Sequence, residues 1–185
     1  MRITSVLKVF GWASLMGCAT GRIPNTDVPD TSVNRAVVSF CERYRHAVEG
    51  RDARTLLSIT SPNYYEDSGT PRGDDDYGYD GLQRLVTAWA DDLLEVRYEM
   101  RYRRVTVDPD RPERIFIDYT YSGSYTLRRP RALETNRRGT SMLTIDPVRD
   151  ANTSSNQDEV WSRRVGDNRL EIERVGDDFR ILSGM

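Results

Sequence analysis

The sequence is short of cysteine, lysine and histidine, and each shortage closes off a class of protein. Two cysteines, Cys18 and Cys41, among 185 residues exclude a disulfide framework and a Cys-based zinc site. A single histidine, His46, leaves no Ser-His-Asp arrangement with a convincing local motif. Lys8 is the only lysine; the arginine excess reads as a GC-rich coding bias and carries no functional weight. Charge of one sign is also lacking. The formal net charge of −2 is too small to argue for nucleic acid or an anionic membrane surface. No apolar run approaches the ~20 residues that span a bilayer. Hydrophobic residues are 37% and charged residues 30%, yet ten tyrosines and three tryptophans are enough to build the core of one domain.

The amino terminus gives an address. Arg2 and Lys8 make a positive start, and an apolar stretch from Val9 to Met16 has the length of a signal-peptide core. It ends in Leu15, Met16, Gly17 and Cys18. "LMGC" resembles the lipobox of bacterial lipoproteins, with Met16 a less usual occupant. The resemblance implies a signal peptide over 1–17, cleavage before Cys18, and acylation of that cysteine. Each buried acyl methylene adds ~0.8 kcal/mol to membrane binding. Ala19 after the cysteine favours, by the same resemblance, the periplasmic face of the outer membrane. The following residues up to Ser32 hold two prolines, two aspartates and no hydrophobic period, so 18–32 is expected to be a tether reaching at most ~40 Å.

Beyond residue 33 the pattern changes to that of a folded domain. Val37, Phe40, Cys41, Tyr44 and Val48 form one helical stripe, ended by Gly50. The lone thiol of Cys41 is expected to be buried in it. Asp52 caps a second short helix that stops by Pro62. Asp80 and Gln83 read as a capping box for a third helix, with Leu82, Leu85, Val86, Trp89 and Leu93 as its stripe. Strict alternation then takes over: Val96, Tyr98, Met100 and Tyr102 against Arg97, Glu99, Arg101 and Arg103. Ile115, Ile117, Tyr119, Tyr121 and Tyr125 repeat the pattern. A shorter strand is expected at "GTSMLTI", and "NRLEIER–VGDD–FRILSGM" reads as a closing hairpin. Helices followed by an antiparallel sheet define an α+β fold.

The stretches "RYRHAVEGRDARTLLSITSPNYYED", "YDGLQRLVTAWADDL" and "LEIERVGDDFRIL" resemble the nuclear transport factor two-like superfamily, which includes SnoaL-like polyketide cyclases and ketosteroid isomerases. The resemblance covers about 33–185, with 129–158 as an inserted excursion. It implies a cone: a curved antiparallel sheet packed on three N-terminal helices, with a pocket in its mouth. Set beside ketosteroid isomerases, Arg43, Tyr44, Val48 and Asp52 keep the family spacing. The resemblance then implies Tyr44 as oxyanion donor and Asp67 as general base, the latter one residue closer than in the family. Glu171 falls at the second oxyanion position. Such a site moves a proton beside a carbonyl while the donors hold the enolate oxygen. Against this, Glu171 alternates with Leu170 and Ile172 and shares the solvent face of Arg169 and Glu173, where an acid stays ionised.

The remaining candidates are weaker. His46 falls on the polar side of its helix. A calcium loop begun at Asp76 puts Gly78 and Thr87 where ligands belong, so Asp74–Asp76 reads as an acidic entry to a helix. No metal and no cofactor is expected. Tyr98, Tyr102, Tyr119 and Tyr121, with Trp89, are expected to line an apolar pocket with a few hydroxyl handles for a small apolar ligand. The arginine rows of the opposite face offer a surface to a second copy or to an envelope protein. The sequence therefore favours a lipid-anchored binding or interaction module. An isomerase or cyclase using Asp67 and Tyr44 is the first alternative, and a structural subunit of an envelope complex the second.

Overall fold

The computed structural model describes residues 21–67, 71, 73–127, 151, 152 and 160–185. Cys18, the strand expected at GTSMLTI, and the excursion apart from Ala151 and Asn152 lie outside the described residues.

Helix α1 spans Ser32–Glu49, and the Thr31 side chain caps it by accepting from the Asn34 amide. Its stripe turns inward: Val37, Phe40, Cys41, Tyr44 and Val48 are all buried. Gly50 closes the helix in an ordinary right-handed conformation, and the left-handed residue is Arg51, with φ 52°. Helix α2 spans Ala53–Ser58, and Asp52 accepts from the Thr55 amide at 2.9 Å. Two short strands follow, β1 (Tyr65–Glu66) and β2 (Tyr77–Gly78), paired antiparallel. Helix α3 spans Tyr79–Asp92. Its N-cap is Gly78 with no side-chain bond, so the expected capping box does not form. Asp80 sits instead in the first turn, where its charge faces the positive end of the helix. Leu93 leaves the helical stripe, because the chain turns extended there and runs straight into a strand.

The main sheet is antiparallel and holds β3 (Leu93–Val107), β4 (Arg114–Leu127), β5 (Ala151–Asn152), β6 (Val160–Val175) and β7 (Asp178–Ser183). β3 pairs β4 and β4 pairs β6, while β5 and β7 both pair β6. The β6–β7 turn places its one positive φ, 63°, on Gly176, as a tight two-residue hairpin turn requires. The register lays side chains across the inner face in rows: Val96–Tyr125–Ser162, Tyr98–Gly123–Arg164, Met100–Tyr121–Gly166 and Tyr102–Tyr119–Asn168. A bulge at Arg103 resets the alternation, so that Val105–Ile117–Leu170 continues the row pattern.

The segment expected to be a free tether is folded from Gly21 onward. Arg22 and Pro29 pair in a small loop closed by a hydrogen bond from the Ile23 amide to the Val28 carbonyl at 3.0 Å. Val28 is fully buried, and the Asp27 amide donates to the Tyr102 carbonyl at 2.9 Å. The Asp27 carboxylate accepts from Arg101 at 3.0 Å and Arg103 at 2.9 Å. Those two arginines hold its pKa below the ordinary aspartate value. One buried valine and one twice-paired aspartate fasten a stretch whose local composition lacks any folding signal.

Glycine makes room where tyrosine is densest. A Cβ on Gly123 would stand 2.2 Å from the Tyr125 hydroxyl and 2.6 Å from its Cζ. Tyr125 is fully buried and has nowhere to swing. Gly123→Ala is therefore expected to destabilise the fold by about 1–3 kcal/mol, the usual cost of overpacking a core. Urea denaturation measures it. In a Tyr125→Leu background the same substitution should cost markedly less.

Candidate functional site

The inner face of the sheet is a layer of phenol rings. Tyr98 and Tyr102 come from β3, Tyr119, Tyr121 and Tyr125 from β4, and α1 contributes Tyr44 from above. Tyr44 meets Tyr98 edge-on at 6.5 Å between ring centroids, and Tyr98 lies 6.0 Å from Tyr121. Trp89 from α3 is buried in the same core. Two hydroxyls are satisfied from the walls: Tyr102 donates to Glu42 at 2.7 Å, and the Asn168 amide donates to Tyr119 at 3.2 Å. The Tyr98 hydroxyl neighbours those of Tyr44 and Tyr119, while the Tyr125 hydroxyl and the Trp89 indole N–H are buried without a described hydrogen bond. Burial pushes the phenols of Tyr44, Tyr98, Tyr119 and Tyr125 above the usual range, so they stay neutral donors. These rings are part of the packed core, and the Tyr125 hydroxyl is a donor within it that no described hydrogen bond takes up.

The acids are arranged differently from the expectation. Asp67 is exposed, whereas Tyr44 is wholly buried, so a base and an oxyanion donor do not face one enclosed carbonyl. Glu171 is ion-paired with Arg114 at 2.9 Å, so its carboxyl is already engaged and is not aimed at Tyr44 as a donor. Asp67 and Glu171 do line one cleft of about 460 Å³ at the end of β6, with Glu66, Arg114 and Asn168. The carboxylate that turns inward is Glu66. It accepts from the Tyr64 hydroxyl at 2.7 Å and from the Gly184 amide at 2.8 Å. Burial raises its pKa above the ordinary glutamate value, against the lowering effect of those donors. Sequence reasoning missed Glu66. The available signal was period two counted from Tyr64, which is buried, past Tyr65, which is exposed.

The other candidates fall where simple patterning puts them. His46 is exposed, and Cys41 is buried with its thiol pushed up by desolvation, hence unreactive. Asp76 accepts from the Tyr65 hydroxyl at 2.5 Å. On the outer face the arginine rows are largely neutralised in place. Asp118 accepts from Arg169 at 2.7 Å and Arg104 at 3.0 Å, and Asp167 accepts from Thr120 at 2.6 Å.

The raised Glu66 gives a pH signature. Between its unfolded value and its higher folded value, the folded chain holds a proton that the unfolded chain releases. Its stabilising share is thus full below the unfolded pKa and is lost as pH rises through the folded one. Glu66→Gln should flatten the fall of stability with pH just above the ordinary glutamate range, as read from urea midpoints in a pH series.

No family model matches the chain, and no curated protein matches it. Solved structures do. A conserved protein from Planctomyces limnophilus superposes with a TM-score of 0.57 at 9% identity, over 82% of this chain and 92% of that one. A candidate dehydratase of the NTF2-like family from Streptomyces avermitilis gives 0.55 at 14% identity, over 84% and 95%. A nuclear transport factor 2-like superfamily protein from Salmonella enterica serovar Typhimurium gives 0.53 at 11% identity, over 82% and 87%. Likeness at such low identity is likeness of fold, and the fold of this chain is the nuclear transport factor 2-like α+β cone: helices packed against a curved antiparallel sheet.

Proposed function

We propose that the domain is a binding module for a small, largely apolar molecule, held at the cell envelope by lipid on Cys18. The observation that supports the binding half is the buried hydroxyl of Tyr125, which no described hydrogen bond satisfies, within a layer of phenol rings. Leaving a buried donor unsatisfied costs about 1–3 kcal/mol, a cost that a guest with an acceptor removes. The anchor half rests on the lipobox-like LMGC stretch.

Isomerase or dehydratase chemistry is the runner-up, and the dehydratase description of the Streptomyces neighbour is what favours it. It fits the side chains less well. Asp67 is exposed, Glu171 is paired with arginine, and Glu66 already accepts two hydrogen bonds. A structural role through the outer face is supported less again, because Asp118 and Asp27 occupy Arg101, Arg103, Arg104 and Arg169.

Three measurements test this reading. Cells fed a radioactive fatty acid should label the wild-type chain and not Cys18→Ser; equal labelling rules out acylation at that residue. The fluorescent anion 1-anilinonaphthalene-8-sulfonate should bind the purified domain, and Tyr125→Phe should weaken an acceptor-bearing apolar ligand by up to about tenfold, one hydrogen bond's worth. A β,γ-unsaturated ketone incubated with the domain in D2O should take up no deuterium beyond the buffer rate. Uptake that disappears in both Asp67→Asn and Tyr44→Phe would instead establish the isomerase.

A further inference from the structure

The loop that fastens residues 21–30 to the sheet also shortens the leash to Cys18. The Gly21 carbonyl accepts from the Asp30 amide at 2.6 Å, and Asp30 stands beside Thr31, the cap of α1. The Asp27 amide ties the middle of the loop to the Tyr102 carbonyl of β3. The chain is thus fixed to the domain at Gly21, and only Ala19 and Thr20 separate it from Cys18. Those three Cα steps reach about 11 Å at full extension, against ~40 Å for an unfolded 18–32 segment. The headgroup layer on one side of a bilayer is itself roughly 5–8 Å deep. With acyl chains on Cys18 sunk in the hydrocarbon, too little chain is left to lift Gly21 clear of the headgroups.

The surface around this point carries a local excess of positive charge, which the net charge of −2 for the whole chain conceals. Asp27 is shared by three arginines: Arg103 at 2.9 Å, Arg101 at 3.0 Å and Arg22 at 3.8 Å. One carboxylate balances one guanidinium, so two positive charges are surplus there. Arg35 adds no net charge, because Asp30 holds it. Glu99, the preceding acid on this face of β3, lies on the Arg97 side of Arg101, away from the loop. The side chains of Arg22 and Arg101 are 70% and 60% exposed, so Asp27 orients them while they still face outward. A planar guanidinium with forked N–H donors matches the oxygens of a phosphate.

We infer that the domain stands on the bilayer by this corner: the Gly21–Asp30 loop lies at the headgroups, with Arg22 and Arg101 on the phosphates of anionic lipid. This rests on the lipid anchor proposed above and adds which face of the domain meets the membrane. The short leash supplies proximity, and the arginines supply orientation. A lipid surface fits this patch because its phosphates are many and closely spaced, so two guanidiniums held by one aspartate find partners together.

The test uses the acylated chain in vesicles of phosphatidylethanolamine and phosphatidylglycerol, with a nitroxide on a fraction of the headgroups. Val33→Cys puts a fluorophore in the first turn of α1, beside the loop. Arg54→Cys puts it in α2, past the far end of α1, a helix about 27 Å long. Both positions are exposed and Cys41 is buried, so the introduced thiol is the one that reacts. Nitroxide quenching should be at least about fivefold stronger at position 33 than at position 54; equal or reversed quenching overturns the inference. A flexible Gly-Ser insertion between Thr20 and Gly21 then relaxes the leash. Quenching at position 33 should persist at low salt and fall at least about threefold at about 1 M salt, where charges are screened within a few ångströms. Any other response to salt overturns the arginine contact. If fatty-acid labelling shows no acyl group on Cys18, the anchor falls and takes this inference with it. An acylated chain left unquenched at position 33 keeps the anchor and overturns this inference alone.

Discussion

Aromatic rings buried on one face of a sheet need space that the strands themselves must provide, and the rest of this fold follows from how that space is made. Gly123 lies beneath Tyr125 and between Tyr98 and Arg164 in the register, and Gly166 lies opposite Tyr121. Each glycine gives up a side chain so that a tyrosine can lie over the strand. Rings of this size bury roughly 150–250 Å² each, and at about 25 cal/mol per Å² of apolar surface they dominate the core's stabilisation. The hydroxyls are the liability. Those that reach Glu42 or Asn168 are satisfied, and that of Tyr125 is not among the described contacts. A sheet that only needed a core would carry phenylalanine at position 125.

The same sheet has an edge to protect, and side chains from elsewhere in the chain do it. β3 is an outer strand, so its free backbone groups invite pairing with another chain. Glu49 of α1 accepts from the Tyr98 amide at 3.1 Å, and Arg45 donates to the Tyr98 carbonyl at 3.3 Å. Further along, the Asp27 amide takes the Tyr102 carbonyl at 2.9 Å, and Arg51 takes that of Leu93. Arg45 is itself fixed between Glu42 at 2.8 Å and Glu49 at 2.6 Å. Ion pairs this exposed contribute little by themselves. Their value lies in occupying backbone groups that would otherwise be open.

Periodicity carried most of the fold into view before any coordinates. The α1 stripe from Val37 to Val48 and the alternation from Ile115 to Tyr125 are buried residue for residue as their spacing requires. What periodicity cannot supply is phase and partnership. Whether Glu66 or Asp67 points inward depends on which residue starts the short strand β1, and two residues define no period. The docking of the Gly21–Asp30 stretch depends on Arg101 and Arg103, more than seventy positions away, so composition within the segment says nothing of it. Leu93 satisfies both the helical stripe of α3 and the alternation of β3, and only the backbone turning extended decides between them. Asn168, in the middle of β6, reads as an ordinary polar interruption until Gly184 is seen to fold back against it.

The acids then separate two uses of one scaffold. A proton-transferring cone needs a carboxylate with an unoccupied lone pair facing a donor across a gap. Here the inward carboxylate of Glu66 is spent on Tyr64 and Gly184, the outward Asp67 meets solvent, and Glu171 is locked to Arg114. None of the three combines burial with a free lone pair aimed at Tyr44. A binding site makes the opposite demand: neutral donors in an apolar setting, kept neutral by burial. Phenols raised by burial and the unsatisfied Tyr125 hydroxyl fit that demand better than the first. The fold is shared with a candidate dehydratase, so the difference between the two uses lies in these side chains and not in the scaffold.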